Sequence, residues 1–119
     1  MRPDSTDNFA RGMEQFNRRQ FFESHETWEE VWLRAPEPDK TFLQGIIQVA
    51  AAFHHYTRGN CAGAESLMRA GLNKLEKFPE DYRGLRLEVF RVAVRECLAM
   101  LTKGQSPTGE MLPRIETAE

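Results

Sequence analysis

Apolar residues recur at helical spacing along most of this chain, and no stretch alternates with the two-residue period of a strand. Phe9, Met13 and Phe16 mark a first helix, entered through the N-cap residues Ser5, Thr6 and Asp7. A second helix, FFESHETWEEVWLRA from Phe21 to Ala35, carries an aromatic stripe and stops where Ala35-Pro36-Glu37-Pro38 forbids further helix. The third, from about Asp39 to Arg58, shows Phe42, Leu43, Ile46, Ile47, Val49, Ala50 and Phe53 around nearly its whole circumference, the pattern of a central helix. Gly59 then supplies a stop and Asn60 a new N-cap, so a fourth helix folds back antiparallel with Leu67, Met68, Gly71, Leu72 and Leu75 on its inner face. A turn from Phe78 to Gly84 leads to a fifth helix, from about Leu85 to Thr102, with Leu87, Phe90, Val94, Leu98 and Leu101 inward. The expected architecture is all-α: one domain over 1–104, a bundle of about five helices with a central antiparallel hairpin. Residues 105–119 have no periodicity and are expected to be extended or disordered.

Composition narrows the function classes. A chain of 119 residues suits one domain, and a net charge of -2 without a basic stretch is not a nucleic-acid footprint. The longest strongly apolar run, Ile46 to Phe53, is far short of the roughly 20 residues that span a bilayer. A cytoplasmic protein is expected, without membrane contact. Cys61 and Cys97 show neither a CxxC pair nor zinc spacing and are expected as reduced thiols, Cys97 as packing and Cys61 at a helix start. Arg91 and Arg95, spaced i and i+4, read as a solvated face.

The unusual positions lie in the second helix. At about 100° per residue, Phe21, His25, Trp28 and Trp32 share a narrow arc, with Phe22 and Glu29 on its shoulder and Glu26 and Glu30 further toward solvent. His25 and Glu29 are i and i+4 neighbours within hydrogen-bond reach. Antiparallel packing of the second and third helices puts residues whose numbers sum to roughly 73 or 74 at one height. Gln48 then faces His25 and Gln44 faces Glu29, beside the small residues Gly45, Ala51 and Ala52. The expected polar cluster is His25, Glu29, Gln44 and Gln48, with His55 on the same side of the third helix and His54 as a core histidine. Such a cluster reads either as a network fixing helix register or as a small ligand pocket. A metal site is not expected, because His54 and His55 stand roughly 9 Å along the axis from His25, and no cofactor is implied.

With those residues in view, the chain resembles the bacterial and archaeal family catalogued as domain of unknown function number 309. The resemblance rests on FNRRQFFESHETWEEVW, FLQGIIQVAAAFHH and RGNCAGA, in that order. It implies a small all-α fold with His25, Glu26, Glu29, Trp32, Gln44 and Gly45 at the family's motif positions. Arg86 stands where the family usually has an Asp, so that residue's role is not supplied here. No activity carries over.

The leading expectation is a non-catalytic domain binding a small molecule or a protein in the groove beside His25, Glu26, Glu29, Gln44, Gln48 and His55. One alternative is a hydrolase-like enzyme with Glu29 as general base oriented by His25, with or without a metal. Another is an interaction module, in which an exposed Trp28 or Trp32 marks a partner or homo-oligomer interface.

Overall fold

The computed structural model describes residues 5–118, with side chains described from Asn8 onward. The cap side chains expected at Ser5, Thr6 and Asp7 therefore lie outside the described side chains. Within them the chain forms α1 (Ser5–Asn17), α2 (Phe21–Arg34), α3 (Asp39–Thr57), α4 (Cys61–Leu75) and α5 (Leu87–Thr102), with 3-10 turns at Tyr82–Gly84 and Gly109–Met111 and no strand.

The core gathers on Phe16. Its ring lies 5.1 Å from Phe21, 5.9 Å from Trp28, 6.3 Å from Phe53 and 5.7 Å from Phe90, so one side chain ties α1 to α2, α3 and α5. Burying an aromatic of this size contributes about 1.5–3 kcal/mol. Trp28 is fully buried and donates its indole N–H to the Phe9 carbonyl at 3.1 Å. It is thus not the exposed interface residue considered from the sequence, and Trp32 is half-buried under the Lys40 ammonium, 4.1 Å above its ring.

α3 is central, as its apolar circumference predicts. It packs on α2 along one side and on α4 along the other. The α3–α4 approach is set by two glycines: a Cβ on Gly71 would stand 2.7 Å from the Gly45 carbonyl oxygen, and one on Gly45 would stand 2.9 Å from Leu75. The reversal between these helices uses the signals read above. Gly59 takes a left-handed φ of 83°, and the Asn60 side chain accepts the Gly63 N–H at 3.0 Å.

Arg91 departs from its expected solvated position. Only 7% exposed, it donates to the Leu75 and Phe78 carbonyls at 2.7 and 2.8 Å and pairs with Glu88 at 2.8 Å. The guanidinium closes the C-terminal end of α4, where helix carbonyls have no partners of their own.

The segment after Gly104 runs extended and is docked rather than free. Ile115 is fully buried, and the Asn17 side chain holds both its N–H and its carbonyl at 2.9 Å. Arg19 donates to the Pro113 and Gly109 carbonyls, Tyr56 to Pro107, and the backbone of Leu85 pairs with Thr117 in an isolated antiparallel bridge. The body therefore extends through this segment.

Candidate functional site

The first residues of α2 and the last turns of α3 run side by side and flank a half-open cavity of about 170 Å³ lined by Phe22, His25, Ala51, His54 and His55. The stripe in α2 explains the placement. Its buried arc is Phe21, Ser24, Thr27, Trp28 and Val31, which turns His25 to the margin and Phe22 to the outer shoulder. Phe22 remains 46% exposed, with its ring centroid 6.2 Å from His25 in a stacked attitude and 5.2 Å from His54. His54 is half-buried at the cavity wall and not the core histidine expected.

The expected four-residue cluster does not assemble through hydrogen bonds. His25 Nε2 and Glu29 Oε2 stand 3.5 Å apart, with side chains 26% and 52% exposed, a close contact without a hydrogen bond. Gln48 instead turns to α4 and accepts from the Lys74 ammonium at 3.0 Å, while Gln44 and Glu26 are exposed. The reason is the facing side of α3 and not its height: Phe21 packs on Phe53 at 5.5 Å and Lys40 donates to the Trp32 carbonyl, pairs that keep the expected height. Because Gly45 and Gly71 draw α4 close on the other flank, the face bearing Gln48 leans toward α4.

What survives is a face. At about 100° per residue, Gln44, Gln48, Ala51 and His55 occupy one narrow strip of α3, each with some exposure, between α2 and α4. The cavity closes one end of that strip.

Hydrogen bonding fixes the imidazole roles. The Asn60 carbonyl oxygen is taken by the Gly63 N–H, so its amide nitrogen faces His55 Nδ1 at 3.2 Å and donates to it. Neutral His55 therefore carries its proton on Nε2, which makes that nitrogen a donor. In His25 the buried Nδ1 has no hydrogen-bond partner. Ser24 and Thr27, buried polar residues of α2, were missed in the sequence; Ser24 donates to the Phe21 carbonyl at 3.1 Å, a local bond that lets a hydroxyl sit in the core. Among the described residues, no group of three or more His, Cys, Asp or Glu side chains is arranged to hold a metal ion. None of the described helices is long and apolar enough to cross a membrane.

Residues 9–67 match the family model described as "Domain of unknown function (DUF309)". Over this stretch the chain belongs to the DUF309 family. The match contains every residue of the α3 strip and its cavity. Among similar proteins, an uncharacterised protein of Aquifex aeolicus (strain VF5) is 30% identical over 93 residues, which cover 77% of this chain and 28% of that protein. The uncharacterised protein YpuF of Bacillus subtilis (strain 168) is 41% identical over 59 residues, 49% of this chain and 34% of YpuF. The matched stretches thus span about a third or less of the curated relatives' own length.

Proposed function

We propose that this DUF309 chain is a binding domain without chemistry of its own, which holds a small ligand or a partner's side chain in the cavity between α2 and α3. The observation that carries the reading is the cavity wall: an exposed phenylalanine and three imidazoles converge on one small, mainly apolar hollow. Small-molecule sites have this makeup, apolar walls with a few polar atoms that orient the occupant. At about 170 Å³ the cavity is below the usual range of about 300–1,000 Å³ for whole ligands. It therefore takes one anchoring group, while the Gln44–Gln48 strip is free to meet the rest of the ligand or partner.

In this reading the chain works in the cytoplasm, where its two unpaired cysteines stay reduced. The test is a fragment screen by NMR, following the imidazole resonances of His25, His54 and His55 and the amides of Phe22 and Ala51. Fragments that bind should move these signals together, and Ala51→Leu, which fills the hollow, should abolish the response. If binders of a diverse library leave these five residues untouched and perturb another surface, the assignment is wrong.

A further inference from the structure

Beyond the α2–α3 hollow, we propose that the chain carries a second binding site, for a small phosphate monoester, between α1 and the C-terminal segment. An open cavity of about 620 Å³ lies there, lined by Met13, Glu14 and Arg18 among the residues of α1, by Arg86 just before α5, and by residues 114–117. It shares no lining residue with the hollow. Its size falls in the range of about 300–1,000 Å³ that suits whole small molecules.

Charge points to the occupant. Three arginines from three separate parts of the chain, Arg18, Arg86 and Arg114, line this one cavity. Two are positioned by partners that also line it. Arg18 meets Glu14 at 3.1 Å, and Arg114 meets Glu116 at 3.2 Å and donates to the Asn17 carbonyl at 3.4 Å. Arg86 is the uncommitted one. Its backbone N–H is held by the Glu116 carbonyl at 2.8 Å, while its exposed side chain forms no ion pair or hydrogen bond among the described residues. Three guanidiniums against two carboxylates leave the cavity positive. Neighbouring Arg19, its pKa lowered by burial and then by the Arg114 charge, adds to that field. The open cavity of about 590 Å³ between α4 and α5 differs, because both of its arginines are matched: Arg69 by Glu65, and Arg95 by Glu76 and Glu88.

The kind of anion follows from the number of donors. A guanidinium is a planar fork that fits carboxylate or phosphate oxygens in pairs. A carboxylate, with a single charge and two oxygens, occupies one such fork. A phosphate monoester carries about -1.5 to -2 charges at neutral pH and three acceptor oxygens, enough to engage several. The resident pairs do not block it. All four of their side chains are at least half exposed, and exposed ion pairs hold weakly. Arg18 and Arg114 can therefore exchange Glu14 and Glu116 for a more highly charged guest. Ala10 and Met13 offer its organic part an apolar wall.

The test is titration of the full chain with phenyl phosphate, inorganic phosphate and benzoate, read by NMR from the amides of Arg18, Arg86 and Thr117. Phenyl phosphate should bind about tenfold more tightly than benzoate, the scale of one further hydrogen bond to a charged group, and more tightly than inorganic phosphate. Arg86→Gln should weaken phenyl phosphate about tenfold without moving the melting temperature. Glu14→Gln, which frees Arg18, should strengthen it, a gain that a purely structural network of ion pairs would not produce. Benzoate binding as tightly as phenyl phosphate overturns the ligand class. Inorganic phosphate binding as tightly as phenyl phosphate means an adventitious ion only. A blocked phosphoserine tripeptide binding more tightly than phenyl phosphate assigns the site to a phosphorylated partner and overturns the small-molecule reading. Unchanged affinity in Arg86→Gln, or no movement of these amides with any of the phosphates, overturns the site itself and leaves the α2–α3 hollow untouched.

Discussion

At the scale of single residues, the two glycines between α3 and α4 make the sharpest demand. A methyl at Gly71 would meet backbone, the Gly45 carbonyl oxygen at 2.7 Å, and backbone cannot rotate away. Gly71→Ala should therefore lower stability by about 1–3 kcal/mol, the usual cost of overpacking. Gly59→Ala has open space around it and a φ of 83°, so only the left-handed backbone is strained, at about 1–2 kcal/mol. Thermal melts of both variants check the ranking, and an unchanged melting temperature for Gly71→Ala would contradict the close approach. Two other residues carry pH dependence. Burial, aided by the hydrogen bond to Asp39, pushes Tyr82 up from 10.0 to about 12. Burial, with the charge of Glu96, pushes the Cys97 thiol up from 9.0 to about 11. Both hold their proton more tightly folded than unfolded, so their stabilisation is whole below the unfolded values and is lost as pH rises through about 11 and about 12. The melting temperature should fall above pH 9, and the gap between native chain and Tyr82→Phe should narrow above pH 10; a constant gap excludes the tyrosine. In the same experiments exposed Cys61 should react with a thiol reagent at once and Cys97 only on unfolding.

At the scale of elements, the helices themselves were legible and their relative placement was not. The 3.6-residue pattern places all five, and Pro36, Gly59 and Asn60 end or begin them where the structure does. The facing side of α3 escaped the sequence because a loop of a given length permits several rotations of one helix about its own axis. The observed rotation sets Ala51 beside His25 and Gln48 beside Lys74, so the candidate site was legible as a face of α3 and not as a network. Arg91 and Arg95 show the same limit: their spacing is identical along one helix, yet one is buried against the end of α4 and the other lies at the surface. Their ion pairs with Glu88 hold its carboxyl below the usual range, Arg95 contributing most. The energetic roles nevertheless differ. Arg91→Ala leaves the Leu75 and Phe78 carbonyls without their donor and should cost about 2–4 kcal/mol, since each orphaned buried group costs about 1–3. Arg95→Ala removes exposed pairs to Glu76 and Glu88 and should cost less than about 1 kcal/mol. Chemical denaturation measures both, and equal losses would refute the capping role.

At the scale of the molecule, the extended C-terminal segment does the work of a further packing element. It draws together the corner between α1 and α2, through Asn17 and Arg19, the end of α3 through Tyr56, and α5 through Cys97 beneath the Met111 carbonyl. None of this has a periodic signature, because the bonds go to the segment's backbone and its buried residues, Pro107, Pro113 and Ile115, have no helical spacing. Arg19 shows how firmly the corner is committed. It takes a φ of 69°, in the left-handed region costly for a side-chain-bearing residue, and there its guanidinium reaches Pro113 and Gly109. Burial, then the nearby charge of Arg114, lowers its pKa. If the segment is part of the folded body, Ile115→Ala should cost about 2–4 kcal/mol, as for other buried aliphatic truncations. Asn17→Ala should cost about 1–2 kcal/mol, because it strips two backbone bonds from the same residue. The two should be less than additive, since once Ile115 no longer seats the segment, the bonds from Asn17 have less to hold. A double-mutant cycle by denaturant unfolding measures that coupling. A loss under about 0.5 kcal/mol for Ile115→Ala, within the range of surface substitutions, would mean that the segment lies on the body without stabilising it.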